Sequence, residues 1–398
     1  MLSEQSVPVV RATLPAVGAA LGDITQRFYA GMFAAHPELL RDVFNRGNQA
    51  NGEQRQALAG SIAAFATMLV ERPDARPDAM LARIAHKHAA LGVTSEQYKI
   101  VHQHLFAAIV DVLGDAVTPE VAAAWDEVYW LMANALIALE AGLYQDAGRT
   151  EGDIWQRMEI AERHEETADA VSFVLRPADG TAAPAFKAGQ YVSVRVELPD
   201  GARQIRQYSL SAAPGAAQWR ITVKRVRGGV GPEGEVSSRL HEHARVGDVL
   251  DVSLPFGDLV LPDGDGPLLL ASAGIGITPM LSILDHLAAV GSTRPVTVVH
   301  ADRGPADHAH RAEQRDLVAA HPGATLHVWY EDAADPDTDA AVGQADLDAL
   351  ELPDGLTAFL CGPLPFMRAV RGDLLRRGVP AEAIHYEVFG PDLWLGQQ

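Results

Sequence analysis

The chain has 398 residues, 48% of them hydrophobic and 21% charged. That composition fits a folded chain of two or three domains and excludes a mostly disordered one. Acidic residues outnumber basic ones 52 to 32, a net charge of −20. Such a surface repels phosphate backbones and anionic membranes, so neither nucleic acid nor a membrane is an expected partner. The single cysteine, Cys361, forms no intramolecular disulfide and completes no thiolate metal site. The N-terminal stretch shows no basic end followed by an apolar core. Its apolar runs fall short of the roughly 18–20 residues of a spanning helix. A soluble, cytoplasmic protein is expected.

Apolar residues recur at helical spacing up to about residue 148. Ile24, Phe28 and Phe33 mark one segment, and Leu58, Ile62, Phe65 and Leu69 mark another. Trp125, Tyr129, Met132, Leu136 and Glu140 follow at steps of three and four, which is one helix face. Asp74, Pro77 and Gly92 punctuate this half, and Thr94-Ser95 precede a run with a capped start. Residues 149–154 read as a linker. Then the period changes: YVSVRVEL, WRITVKRV and VGDVLDVSLPFG predict strands over about 153–261, an antiparallel β-barrel. From about 266 to 398, LLLASAG, VTVVHA, TLHVWY and TAFLCG are apolar runs separated by helical stretches. That arithmetic predicts a doubly wound α/β domain on a parallel sheet. The acid-rich stretch 331–351 reads as a solvated loop and helix surface.

LLLASAGIGITPM pairs a buried-type strand with a glycine turn and a helix opening at Thr278-Pro279. Gly274 and Gly276 let a backbone approach a pyrophosphate, and a helix N-terminus offers free N–H groups. Upstream, Arg206-Gln207-Tyr208-Ser209 combines a fork donor, a flat ring and a small hydroxyl. Gly234-Glu235-Val236-Ser237 opens a further helix. Cys361-Gly362-Pro363 and Glu387-Val388-Phe389-Gly390-Pro391 each follow a strand. In this order the motifs resemble the ferredoxin–NADP reductase superfamily. The resemblance implies that Arg206, Gln207, Tyr208, Ser209 and Tyr191 hold FAD, with Ser237 near a phosphate. It implies that Gly274, Ile275, Gly276, Ile277, Thr278 and Pro279, with Cys361 and Gly362, hold NADH or NADPH. Glu387, Val388, Phe389, Gly390 and Pro391 would cover the flavin's other face.

The helical half must then receive electrons. His86 and His88 are two apart, as are His102 and His104, so neither pair shares a helix face for one metal. A single histidine suffices for haem, whose porphyrin supplies four ligands itself. Phe28-Tyr29, Phe44-Asn45, Asn51-Gly52-Glu53-Gln54-Arg55, Ile84-Ala85-His86-Lys87-His88, Glu96-Gln97-Tyr98 and Ala138-Leu139-Glu140-Ala141 resemble the globin domain of bacterial flavohaemoglobins. With the reductase behind it, the resemblance spans nearly the whole chain. It implies haem b held by His88, with His86 turned to solvent. Tyr29 and Gln54 would face bound O₂, Leu58 and Phe44 would wall the pocket, and Lys87 would lie near a haem propionate. Tyr98 and Glu140 would back the proximal histidine and push electron density onto iron.

The implied activity is nitric oxide dioxygenation: electrons pass from NAD(P)H through FAD to haem iron, and NO and O₂ leave as nitrate. The expected partners are these small molecules, and the expected state is a monomer. Two other readings stay open on the residues alone. The globin could sense or buffer O₂ or NO beside a flavin reductase, or the helical half could dock a separate electron acceptor. Several positions depart from the family pattern. The segment RGGVGPEGE at 227–235 is long, Ile277 stands where a polar residue is common, and Asp302 and Arg303 point to opposite nucleotides.

Overall fold

The computed structural model describes residues 1–72, 77–228, 233–332 and 340–393. The helix stop expected at Asp74, the middle of the 227–235 segment and part of the acid-rich stretch lie outside the described residues. By density of contacts the chain forms two units. One holds residues 1–155 with 195–206 and 390–398, and the other holds 156–194 and 207–389.

The first unit is helical. It contains α1 (Ser6–Ala35), α2 (Pro37–Asp42), α3 (Arg46–Ala50), α4 (Glu53–Glu71), α5 (Asp78–Leu91), α6 (Ser95–Leu113) and α7 (Pro119–Asp146). Val10, Val17, Leu21, Ile24, Phe28 and Met32 form the buried stripe of α1, which packs on α4, α6 and α7. By length and composition alone α1 could cross a membrane, against the expectation of short apolar runs. Its stripe instead belongs to the core of the helical unit. Gly92 ends α5 in the left-handed region at φ 74°. Thr94 and Gln97 form a reciprocal capping box that starts α6. Thr118 accepts from Val121 N–H at the start of α7, with Pro119 at the first helical position. These signals leave α5, α6 and α7 little freedom to slide in register.

An antiparallel sheet follows. Its strands are β1 (Trp155–Thr167), β2 (Ala170–Pro177), β3 (Tyr191–Glu197), β4 (Arg203–Ser209), β5 (Trp219–Lys224) and β6 (Val249–Ser253). The order is β4-β3-β6-β1-β2-β5, and a bridge between Leu210 and Ile221 brings the two edges together, as barrel closure requires. Helix α8 (Glu235–His243) lies between β5 and β6 in sequence. Strands β1 and β4 carry so many charged and polar residues that alternation alone did not mark them.

The last part is doubly wound. Strands β7 (Leu268–Ala273), β8 (Val296–Asp302), β9 (Ala324–Tyr330), β10 (Ala341–Val342), β11 (Thr357–Cys361) and β12 (Ile384–Glu387) pair in parallel in the order β10-β9-β8-β7-β11-β12. Helices α9 (Ile277–Ala289), α10 (Arg311–Ala320) and α11 (Leu364–Arg376) connect them. The order reverses between β7 and β11, which is where such sheets bind ligands. The helix after the glycine turn opens at Ile277 rather than Thr278, because a 3₁₀ turn over Gly274–Gly276 runs straight into it.

Beside this sheet His308 is buried. Its Nδ1 lies 2.9 Å from the Tyr330 hydroxyl, and its ring stacks on His300 at 3.9 Å. Burial first, then the neighbouring charge of His300, pushes the His308 pKa down to about 2. The unfolded chain therefore binds a proton near pH 6.5 that the folded chain refuses. Stability is full above pH 6.5 and falls as acid is added. Urea unfolding followed at pH 7 and pH 5 should show a loss of about 1–2 kcal/mol from this residue. His308→Gln should flatten that slope; an unchanged slope would assign the acid sensitivity elsewhere.

Candidate functional site

Three helices deliver one side chain each to a common point in the helical unit. Helix α5 brings His88, α6 brings Tyr98 and α7 brings Glu140. His88 Nδ1 lies 2.8 Å from Glu140 Oε1 and 2.9 Å from the Tyr98 hydroxyl, and Tyr98 donates to the same Oε1 at 2.5 Å. Glu140 is 3% exposed. A buried carboxylate is costly unless its lone pairs are used, and here two donors use one oxygen. A carboxylate only accepts, and Tyr98 has a single hydrogen, which goes to Glu140. His88 Nδ1 must therefore carry its own hydrogen, so Nε2 is left with a lone pair. Burial, then the charge of Glu140, pushes the Tyr98 phenol far above its ordinary pKa, so it stays a donor. The tyrosine is itself braced, because Tyr129 donates to its backbone carbonyl at 2.6 Å.

The His88 side chain is 34% exposed although its neighbours Ala85, Ala89 and Ala90 are fully buried. Leu58, Ile62, Ile84 and Phe44 are apolar, partly buried and packed on the same core. A ring nitrogen left without a proton, on a side chain partly open among apolar residues, fits a ligand of haem iron. Tyr29, on α1, is buried in this core, with its ring 4.7 Å from Phe28 and 5.9 Å from Phe44. Burial pushes the Tyr29 phenol above its ordinary pKa, and the side chains of Gln54 and then Gln49 beside the hydroxyl draw it partly back. Gln54 was expected there. Gln49 was not: a glutamine in a five-residue helix carries no periodic signal. His86, expected at the solvent side, is half-buried. Lys87 donates from Nζ to the Gly390 carbonyl at 2.8 Å, and Arg83 on the same helix reaches Asp392 at 3.3 Å. The lysine ammonium thus meets the backbone just beyond Phe389.

The R-x-Y-S motif lies at the end of β4. Arg206 Nη1 donates to the Ile205 carbonyl at 2.7 Å and to Gln204 Oε1 at 3.2 Å. The Ser209 hydroxyl and the Gln207 amide nitrogen are buried polar atoms without a hydrogen-bond partner among the described residues. Such atoms are rare in folded proteins and fit a group that hydrogen-bonds at this strand end. Tyr191 is buried on β3, against Gly257. Ser237 differs: its hydroxyl accepts from Val226 N–H at 3.1 Å and donates to the Gly234 carbonyl at 3.2 Å. The loop it closes uses the hydroxyl that the sequence assigned to a phosphate.

At the nucleotide turn the two glycines do different work. Gly274 takes φ 54°, and a Cβ there would lie 3.6 Å from Lys224 Nζ. Lys224, from the end of β5, thus sets a cation beside the turn; it was missed because one strand lysine carries no motif. A Cβ at Gly276 would lie 2.2 Å from the Cys361 carbonyl oxygen. The turn and the Cys361-Gly362 turn therefore touch through bare backbone. Ile277, Thr278 and Pro279 are buried, whereas Gly274 and Ile275 are partly exposed. Ile275 lies in the same 3₁₀ turn. Cys361 is a buried free thiol. Glu387 is buried at the end of β12, and Val388 N–H bonds to its carboxylate at 3.1 Å. Phe389 is 46% exposed, an unusual state for a large apolar ring.

The His88–Tyr98–Glu140 set, the buried polar atoms of Gln207 and Ser209 at a strand end and a glycine turn at a sheet reversal fit a globin joined to a flavin- and nicotinamide-dependent oxidoreductase. Comparison with known proteins agrees part by part. The globin family matches residues 26–136, the oxidoreductase FAD-binding domain 157–260 and the oxidoreductase NAD-binding domain 270–372. The chain is 44% identical to the flavohemoprotein of Chromobacterium violaceum over 98% of each chain. It is 41% identical to that of Rhizobium meliloti over 99% of this chain and all of the relative. The solved flavohemoglobin of Malassezia yamatoensis, with bound FAD and heme, superposes with TM-score 0.89 at 39% identity, covering 98% of this chain and 100% of that one. The FAD/NAD-binding domain of the nitric oxide dioxygenase of Vibrio cholerae matches 59% of this chain and 99% of its own, at 39% identity and TM-score 0.56. The chain belongs to the flavohemoprotein family.

The Gly276 contact generates a direct expectation. Gly276→Ala should push the Cys361-Gly362 turn away, at about 1–3 kcal/mol of overpacking strain. Thermal unfolding should report the strain and the KM for NADH should rise, while haem and flavin content stay at wild-type levels. An unchanged KM would show that the two turns need not touch for nucleotide use.

Proposed function

We propose that the chain is a nitric oxide dioxygenase that converts NO and O₂ to nitrate with electrons from NAD(P)H. The observation that carries the reading is the hydrogen-bonded set His88–Tyr98–Glu140. When bound, haem supplies the centre at which O₂ and NO combine, and FAD splits the hydride of NAD(P)H into single electrons. The residues do the rest. Glu140 and Tyr98 hold the proton at His88 Nδ1, which orients Nε2 as the iron ligand and raises its basicity. Simple storage of a gas has no need of that push, and this favours an oxygenase over a sensor or a buffer. Tyr29 donates its hydroxyl toward O₂, Gln54 assists it, and Leu58 and Phe44 keep the distal side apolar.

On the reductase side, Arg206 holds the flavin phosphate while Tyr191 and Tyr208 offer flat faces. Gln207 and Ser209 supply hydrogen bonds to the flavin, and Ser237 closes the loop beside its phosphate. Phe389 covers the far face of the ring, within the segment Glu387, Val388, Gly390 and Pro391. The backbone of Gly274, Ile275, Gly276 and Ile277, with the helix start at Thr278 and Pro279, receives the dinucleotide beside Cys361 and Gly362. Lys87 fixes the Gly390 end of that segment and takes part in electron entry. We divide the chain into a globin over 1–148, an FAD barrel over 153–261 and a nucleotide domain over 266–398. It acts as a cytoplasmic monomer, on small molecules and without a membrane.

The test is an absorption spectrum under air, first with NADH and then with NO. A Soret band, flavin bleaching and NO consumption with nitrate formed support the reading; a protein without a Soret band that still oxidises NADH overturns it. His88→Ala should lose the Soret band, or its normal position, while flavin reduction persists. Tyr29→Phe removes one hydroxyl and almost no volume. Its loss of a net hydrogen bond worth about 1–1.5 kcal/mol should speed O₂ release about tenfold. NO turnover should then fall most at limiting O₂. Wild-type turnover there would remove Tyr29 from the reaction.

A further inference from the structure

Gln204, on β4, is a polar side chain at 0% exposure, and every polar atom it owns is engaged. Its Nε2 donates to the carbonyls of Arg41 at 3.0 Å, Leu40 at 3.2 Å and Phe44 at 3.2 Å. Two hydrogens are thus shared among three oxygens. Leu40 and Arg41 lie in the last turn of α2, whose carbonyls have no partner within the helix. Its Oε1 accepts from Arg46 N–H at 3.2 Å and from Arg206 Nη1 at 3.2 Å. One buried amide therefore holds both ends of the α2–α3 connection and the arginine of the R-x-Y-S motif.

That connection carries the distal side of the pocket. The Phe44 ring meets the Tyr29 ring edge-on at 5.9 Å. Asn45 caps α3 by accepting from Gly47 N–H at 2.9 Å and Asn48 N–H at 3.3 Å. Helix α3 brings Gln49 beside the Tyr29 hydroxyl. Two further pairs bind the same stretches: Arg46 to Asp200 at 2.6 Å and Asp42 to Arg203 at 3.2 Å. Both of those pairs are partly exposed, so salt and water weaken them. The glutamine is dry, and an unmet buried amide is expensive.

We propose that Gln204 is a positioning residue that couples flavin occupancy to the geometry of the distal haem pocket. The proposal rests on the haem and flavin reading above. When Arg206 turns to a flavin phosphate, its hydrogen bond to Gln204 Oε1 is given up or tightened. The amide then rebalances among the Arg46 N–H and the three carbonyls. Phe44 and α3 move with those carbonyls, and they are what Tyr29 and Gln49 rest on. The coupling is reciprocal by thermodynamic necessity: a gas ligand that shifts the distal side must shift flavin affinity by the same factor.

The experiment uses the full-length, haem-loaded chain. Carbon monoxide affinity of the reduced protein is measured with FAD bound and after FAD removal, and FAD affinity is measured with and without saturating carbon monoxide. In the wild type both ratios should be equal and at least about fivefold. Gln204→Met keeps length and removes all five hydrogen bonds, so the ratio should fall to one while each cofactor still binds. Gln204→Glu keeps the acceptor toward Arg206 and Arg46 and loses the donors toward α2 and Phe44. It should retain FAD and lose the coupling, and it decides the question if Gln204→Met does not fold. Wild-type carbon monoxide affinity that ignores FAD overturns the proposal, as does full coupling in either folded variant. A wild-type chain that binds no haem or no FAD would instead overturn the reading beneath it.

Discussion

The hydrogen bonds of one buried carboxylate set the terms for the helical unit. Glu140 sits on an otherwise apolar stripe, where an unpaired charge is not tolerated. Its partners come from two other helices, so α5, α6 and α7 must all hold register for it to be satisfied. The caps at Thr94, Thr118 and Gly92 and the braces from Tyr129 and Tyr144 serve that register. Tyr144 donates to the Val93 carbonyl at 2.8 Å, just where the chain passes from α5 to α6. The chemical return is a histidine with one tautomer and one free nitrogen. Without the carboxylate the imidazole could present either nitrogen.

Elsewhere the accounting of buried polar groups separates structure from chemistry. Ser237 and Gln204 spend their hydrogen bonds on the chain itself, so their first duty is to shape a loop. Ser209 and Gln207, on the same strand as Gln204, leave buried polar atoms without a hydrogen-bond partner among the described residues. The glycine turn divides its labour in the same way. Gly276 is bare because the Cys361 carbonyl presses on it, whereas Gly274 supplies a left-handed bend beside the Lys224 ammonium. A motif of small residues thus serves one packing demand and one electrostatic demand, and only the coordinates tell which glycine serves which.

The exposed Phe389 ring belongs to the same logic. It leaves an apolar face open to solvent. The residues just after it are tied by Lys87 and Arg83 to α5, the helix that carries His88.

Much of the fold was legible from period and punctuation. Steps of three and four revealed α7, alternation revealed β3, β5 and β6, and apolar runs broken by helices revealed the parallel sheet. These signals are local, because each reflects one face of one element meeting one core. His88, Tyr98 and Tyr29 were named from the sequence through family motifs, and Glu140 through spacing as well, as a carboxylate on an apolar helix face. What the sequence could not reveal is which atoms meet. Glu140 as the acceptor for two donors, Gln49 beside Tyr29, Lys224 at the glycine turn and Gln204 spanning α2, α3 and Arg206 all join residues from separate elements. Strands β1 and β4 escaped notice because their charged side chains hide the period that backbone pairing imposes. The amino-acid sequence by itself determined the elements and the chemistry available. The tertiary structure decided which donors and acceptors that chemistry can use, since hydrogen-bond geometry exists only between residues that folding brings together.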